Sequence, residues 1–198
     1  MLNNQVRDVA RPHQPHQGHR QQALIVVPLI ISLLGSAFGI LGYFIGEALG
    51  IPSRLHLPAI LRAFGGIVVA FGFIVLGWLF RYRKPAEILV STYVTMRKAV
   101  RRRPLQDTSS RAEPLILQGP QRHMRHPLYF AVVVLLLGWW LVLNYTFLLF
   151  MALFFFLWFN AVVIRFEERE LIALFGEKYE AYAKSVPRFF PSLKPRWH

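Results

Sequence analysis

Apolar residues along this chain gather into four blocks separated by polar stretches. The first runs from Leu24 to Ile45, 22 residues without a charged side chain. At about 1.5 Å of rise per residue, a helix of that length crosses a hydrocarbon core of roughly 30 Å. The second runs from about Ala59 to Phe80. Arg62 sits near its start, where a long cationic side chain reaches back to the interface. The third, Leu128 to Leu143, has 16 residues and the fourth, Thr146 to Ile164, has 19. Only Asn144 and Tyr145 separate them, which predicts a tight helical hairpin. Gly35, Gly39, Gly42 and Gly46 recur at helical spacing in the first block. They share one face and admit close approach of another helix; the same face would also suit the border of a lateral opening for an apolar molecule. The pattern predicts an all-α integral membrane protein with about four transmembrane helices, the last two a hairpin.

The polar stretches predict the rest. Residues 1–23 lack any periodic pattern and read as a flexible N-terminal tail. The apolar run behind them is too long for a signal peptide and lacks a clear cleavage site. His13, His16 and His19 have a spacing that would suit a metal, but nothing nearby would fix the geometry, so no metal site is expected. Residues 46–58 form a short loop with Pro52 and Pro58. Further on, Leu89, Tyr93, Met96 and Val100 recur at helical spacing beside Arg97, Lys98 and Arg101–Arg103, as in a helix lying on a membrane surface. Pro104–Pro114 ends it. Beyond Arg165 the chain predicts amphipathic C-terminal helices. Leu171, Leu174, Phe175, Tyr179 and Tyr182 form a packing stripe that Gly176 punctuates. Phe189, Phe190 and Trp197 suit an interfacial anchor.

Composition and charge narrow the class. The 198 residues are 55% hydrophobic and only 17% charged, yet the net charge is +13. Disordered basic tails are poor in apolar residues, so that class is excluded. A soluble domain would carry about a quarter charged residues, which argues against an ordinary soluble enzyme. The chain has no cysteine, and so no disulfide, thiolate metal site or cysteine nucleophile. Residues 81–127 carry 11 Lys/Arg against 3 Asp/Glu, or +8 of the total. No groove-reading motif accompanies them, so no nucleic-acid partner is expected. By the positive-inside bias this loop is cytoplasmic. Two spans on either side then place both termini in the cytoplasm, where Arg7, Arg11 and Arg20 and the 7 Lys/Arg after Ile164 agree.

A hairpin would bring two polar clusters to one membrane face. The segment Gly119-Pro120-Gln121-Arg122-His123-Met124-Arg125-His126-Pro127-Leu128-Tyr129 lies at the mouth of the third block, and Arg165-Phe166-Glu167-Glu168 at the end of the fourth. Arg125, His126, Glu167 and Glu168 would then surround one small polar ligand, or else form an ion-pair belt closing the hairpin. Pro127 at a first helical position is ordinary helix-starting chemistry. Asn160, one turn before Arg165, would face a cavity or another helix.

These residues resemble the integral-membrane methyltransferases that include isoprenylcysteine carboxyl methyltransferase and the phospholipid N-methyltransferases. The likeness covers roughly residues 119–191. It rests on Gly119-Pro120, Arg125-His126-Pro127-x-Tyr129, Glu167-Glu168-x-x-Leu171-x-x-x-Phe175-Gly176-x-x-Tyr179-x-x-Tyr182, Val186-Pro187 and Pro191. Gln121 stands where an aromatic residue is frequent, and Ala131 where glycine is frequent. The resemblance implies a cytoplasmic S-adenosylmethionine site drawn from Gly119, Gln121, Arg125, His126, Pro127, Tyr129, Glu167 and Glu168. Arg125, Glu168 and His126 form the expected catalytic set. It implies methyl transfer to a lipid or hydrophobic small-molecule acceptor. The expected division is a tail at 1–23, two transmembrane helices with the basic amphipathic segment at 24–118, and a cofactor-binding core at 119–198 whose hairpin spans 128–164. Two other readings compete: an NADPH-dependent membrane enzyme similar to sterol and isoprenoid reductases, and a non-enzymatic protein that holds anionic lipid headgroups.

Overall fold

The structure is a computed structural model that describes residues 17–101, 115 and 117–197. Among these every regular element is helical. In chain order they are α1 (Gln17–Ala48), α2 (Ala59–Phe80), α3 (Pro85–Arg101), a 3₁₀ turn (Gly119–Arg122), α4 (Pro127–Leu143), α5 (Thr146–Trp158), a π-helical turn (Phe159–Val163), α6 (Ile164–Phe175) and α7 (Glu177–Ser185). The expectations for His13, His16, Arg102, Arg103 and Pro104–Pro114 lie outside the described residues. The first helix begins at Gln17, inside the stretch expected as tail.

Three described helical stretches are long and apolar enough to cross a membrane: Arg20–Ala48, Ala59–Phe80 and Thr146–Phe175. The first two bury little of their surface inside the protein and show Leu33, Phe44, Ile60 and Ile74 outward. The third expected span differs. α4 has 17 residues, about 25 Å at the helical rise, somewhat short of a typical hydrocarbon core. The helix begun by α5 does not stop at Ile164 but continues through the π turn to Phe175. Glu167 and Glu168 therefore stand on a continuous helix.

Glycines set the packing of the apolar helices. α1 lies on α5, and its glycine face is the contact. A Cβ at Gly42 would lie 2.7 Å from Phe150 Cβ and 3.2 Å from the Phe147 carbonyl. Phe155 packs at Gly35, and Phe147 with Met151 at Gly39. Among the described residues this face is thus filled by α5. α2 packs most extensively on α4. There Gly65 and Gly138 face each other: a Cβ at Gly65 would lie 2.6 Å from Leu141 Cβ, and one at Gly138 2.9 Å from the Val69 nitrogen.

One end of the α4–α5 pair is closed by backbone. Asn144 ends α4 in the left-handed conformation (φ 63°), which asparagine tolerates. Its carbonyl accepts from the Leu55 N–H at 2.8 Å, while Thr146 N–H donates to the Ser53 carbonyl at 3.0 Å. The loop before α2 thereby clasps the turn.

α3 forms where its periodicity predicts, but it buries a different face. Val90 and Val94 pack on Ala23 of α1, whereas Leu89, Tyr93 and Met96 are half-buried. Lys98 is 3% exposed and pairs with Glu170, 1% exposed, at 2.8 Å; Thr95 also donates to Glu170 at 2.6 Å. This link ties α3 to α6. The expected packing stripe largely holds, since Leu171, Tyr179, Tyr182 and Val186 form one buried cluster with Phe175 against it. Gly176 (φ 52°) separates α6 from α7. The expected interfacial anchor does not hold as a group. Phe189 is buried against Phe130 and Phe156, and Trp197 packs edge-on to Tyr182, so only Phe190 faces outward.

Candidate active site

At the other end of the α4–α5 pair the chain concentrates charge. Pro127 occupies the first position of α4, so His126 and Arg125 are held just before the helix. Their backbone is fixed from the C-terminal side: Arg125 N–H donates to the Pro187 carbonyl at 2.9 Å, and His126 N–H to the Arg188 carbonyl at 3.2 Å. Ser192 and Arg196 N–H donate to the His123 and Arg122 carbonyls. Residues 187–197 thus run as a strap along residues 122–126.

Glu168 is the hub. Its Oε1 lies 3.0 Å from Arg125 Nη1 and 3.2 Å from His126 Nε2, and its Oε2 accepts from Arg188 Nη2 at 2.7 Å. Glu167 takes the Tyr129 hydroxyl on Oε2 at 2.9 Å, with His126 Nδ1 at 3.6 Å. His126 therefore has a carboxylate beside each ring nitrogen. A neutral imidazole can donate to only one of them, whereas the imidazolium can donate to both. The rings of His126, Tyr129 and Phe159 stack in a column, with centroids 5.7 Å and 4.6 Å apart. Phe159 comes from the π turn, a feature often found at functional sites. Asn160 on the same turn bonds the Phe156 carbonyl of its own helix at 2.9 Å.

Two cavities flank this cluster. One lies between α2, α3 and α4 and is lined by Leu79, Ser91, Thr92, Thr95, Met96 and Val163 among others. The second is lined by Leu117, Gln121, Leu171, Tyr179 and Tyr182 among others. Arg83, Arg125, His126 and Glu167 line both and form a shared wall. Two polar atoms beside the second cavity, Gln121 Oε1 and Arg125 Nε, are buried without a hydrogen-bond partner. Burial pushes the phenols of Tyr179 and Tyr182 well above their ordinary range. The charge of Glu168 adds to this at Tyr179, so both stay protonated at neutral pH. Tyr182 donates to the Gln121 carbonyl at 2.7 Å.

Of the residues singled out in the sequence, the structure brings together Arg125, His126, Tyr129, Glu167 and Glu168. Gln121 and Pro127 line one cavity each. Gly119 lines neither. It sits at φ 61° under the Tyr82 ring, where a side chain would collide, and its place is explained by packing. Arg83, Arg188 and the hydroxyls of α3 were not legible as site residues. Arg188 follows the quoted Val186-Pro187, but nothing in the spacing ties it to Glu168.

Fold and site together define a multi-helix membrane protein with a charged, strapped pocket at one end of its bundle. The chain belongs to the phospholipid methyltransferase family, whose model matches residues 60–178. It is 30% identical over 137 residues to the methanethiol S-methyltransferase of Crocosphaera subtropica (strain ATCC 51142 / BH68). That match covers 65% of this chain and 48% of the relative, so the chain spans about half the relative's length. No solved structure matches it.

Proposed function

We propose that this protein is an integral-membrane methyltransferase that moves a methyl group from S-adenosylmethionine to a lipid or lipid-like acceptor at the cytoplasmic face. The observation that carries this reading is the Arg125–His126–Glu167–Glu168 cluster standing between two cavities, with buried orphan atoms on one side. On this reading α4 and α5–α6 form a membrane hairpin and the protein has four spans. The shorter α4 is accommodated by local bilayer thinning. The excess of Lys and Arg at the charged end orients it to the cytoplasm. Residues 119–198 then form the cofactor-binding part.

The residues present fit the cofactor. Its carboxylate needs a forked cationic donor, which Arg125 offers through its free Nε. Its ammonium and hydroxyls need acceptors, which Glu167 and Gln121 Oε1 supply beside the second cavity. Leu117, Leu171, Tyr179 and Tyr182 give the flat apolar walls a nucleoside base requires. When bound, S-adenosylmethionine would supply an electrophilic methyl group on a cationic sulfur. The protein's own work is alignment and exclusion of water, which can supply much of the barrier lowering in a two-reactant displacement. Glu168 holds Arg125 and His126 in place, Tyr129 holds Glu167, and the strap fixes the backbone of residues 122–126. The relative's name adds a small thiol to the acceptor classes to be tried. An amine or thiol acceptor must lose a proton, for which Glu168, His126 and water are the candidate acceptors.

The test is equilibrium binding of S-adenosylmethionine to the purified full-length protein in detergent. Wild type is expected to bind, and Arg125→Ala and Glu168→Ala to abolish binding. Wild-type binding left intact by both changes would defeat this site. Stabilisation against heat by NADPH but not by S-adenosylmethionine would favour a reductase instead.

A further inference from the structure

Among the described residues, five buried side-chain atoms lack a hydrogen-bond partner. Trp140 Nε1 and Asn144 Oδ1 belong to α4 and its cap. The other three are Gln121 Oε1, Arg125 Nε and the Tyr179 hydroxyl, and their side chains all line the second cavity. They come from three separate stretches of chain. Gln121, 4% exposed, sits on the 3₁₀ turn, and Arg125 lies just before α4. Tyr179 is on α7, which starts after Gly176 breaks the helix at φ 52°, and it is 1% exposed.

Tyr179 and Tyr182 make an informative pair. Both belong to one buried cluster, with ring centroids 5.7 Å apart. Tyr182 donates its hydroxyl to the Gln121 carbonyl. The Tyr179 hydroxyl, as deeply buried, has no such acceptor. Burying a hydroxyl without a partner costs stability, and a phenylalanine ring would fill the same space without that cost. Packing therefore accounts for the Tyr179 ring but not for its hydroxyl. At Arg125, Glu168 pairs the charge through Nη1, and what remains is one directed N–H at Nε. The guanidinium is near enough to the Tyr179 hydroxyl for its charge to act there, yet no hydrogen bond of ordinary geometry joins them.

The three atoms differ in kind. Arg125 Nε only donates and Gln121 Oε1 only accepts. Tyr179 keeps its proton at neutral pH, because burial and then the Glu168 charge raise its phenol, so it donates. Two donors and one acceptor complement a carboxylate, which only accepts, set beside an ammonium, which only donates. An α-amino acid carries that pair.

We propose that Gln121, Arg125 and Tyr179 form the receptor for the α-amino-acid end of the cofactor, the Tyr179 hydroxyl and Arg125 Nε donating to its carboxylate and Gln121 Oε1 accepting from its ammonium. The proposal rests on the methyltransferase reading and deepens it by giving the hydroxyl of a core tyrosine a binding role. Hydrogen bonds to charged groups are shorter and stronger than neutral ones, so the three contacts select for that end of the ligand. Leu117, Leu171 and Tyr182 remain as walls for the base.

The experiment uses the full chain in detergent and ranks three competitors by displacement of labelled S-adenosylmethionine. S-adenosylhomocysteine carries the whole amino-acid end, its decarboxylated analogue keeps only the amine, and 5′-methylthioadenosine has neither. Wild type is expected to bind S-adenosylhomocysteine at least about tenfold more tightly than either of the others. Tyr179→Phe is expected to weaken S-adenosylhomocysteine by about tenfold or more and to leave the decarboxylated analogue within about twofold. Gln121→Met is expected to weaken both amine-bearing ligands by about tenfold and to leave 5′-methylthioadenosine within about twofold. Thermal unfolding of the ligand-free protein is the second readout. Because the hydroxyl removed has no partner, the midpoint of Tyr179→Phe is expected to equal or exceed that of wild type. A lowered midpoint with S-adenosylhomocysteine affinity intact would make the hydroxyl part of the fold and overturn the proposal. So would equal weakening of all three ligands by Tyr179→Phe, or wild type that does not distinguish them. Failure of wild type to bind S-adenosylmethionine at all would fall on the underlying function, a result distinct from these.

Discussion

The two ends of the α4–α5 pair are both held shut, but by different interactions. At the Asn144–Tyr145 turn the closure is largely backbone: groups of Ser53 and Leu55 pair with Thr146 and Asn144, Arg54 lies over the Tyr145 ring at 5.3 Å, and Asn144 Oδ1 is buried without a partner. At the opposite end, two carboxylates are set among Arg125, His126 and Arg188, and buried polar atoms are left without partners. Between the ends, glycine seams hold the helices by shape alone. A clasp of backbone hydrogen bonds suffices to join two helices. Buried charge is costly, and replacing it with apolar packing often does no harm to stability. On the proposed function, its concentration at one end serves ligand chemistry.

That contrast can be broken by substitution. The largest effect is expected at Glu168, because its loss strands two or three cations at once. Breaking a buried pair costs about 3–5 kcal/mol. Glu168→Gln is expected to weaken S-adenosylmethionine binding at least a hundredfold by calorimetry. An unchanged affinity would make the cluster a structural belt.

Next come the seams. Gly42→Leu is expected to lower unfolding stability by about 1–3 kcal/mol, the usual cost of overpacking, because Phe150 and the Phe147 carbonyl occupy the space. Gly35→Ala, where the nearest atoms are Phe155 ring carbons at 3.9 Å, is expected to stay within about 0.5 kcal/mol. Denaturation of both variants in the same detergent measures the difference. Equal effects would mean that the seam is not held by close approach.

Smaller again is Arg188→Ala. The side chain is 43% exposed, so its charge is partly screened by solvent. A three- to tenfold loss of cofactor affinity is expected, about 0.7–1.4 kcal/mol and in the range of one hydrogen bond. The thermal midpoint should stay nearly constant. A loss as large as that of Glu168→Gln would mean that the strap, rather than the hub, organises the pocket. The smallest effect is expected for Tyr129→Phe, which removes a single hydrogen bond to Glu167 and keeps the ring column. Affinity is expected to fall about twofold to tenfold. No change would detach Glu167 from the site.

The four apolar blocks, the Gly35–Gly46 face, Pro127 at the start of α4 and Gly176 between α6 and α7 were all legible in the sequence. Each is a local matter of hydrophobic run length, helical period or backbone conformation, and such signals depend only on neighbours in the chain. The meeting of Arg125 and His126 with Glu167 and Glu168 was legible in outline, because a short turn between two apolar runs leaves little choice of where their far ends lie. What only the tertiary structure decided involves partners far apart in sequence. Lys98 joins Glu170, Arg188 joins Glu168, Gly65 faces Gly138, and Phe189 turns inward rather than toward the interface. The continuation of α5 through a π turn into α6 belongs here too, since an apolar run records where hydrophobicity ends and not where helical hydrogen bonding does. A side chain's own period says which face it occupies. Which face is then buried depends on the shape and charge of whatever packs there, and the chain brings that surface in only when the whole bundle has closed.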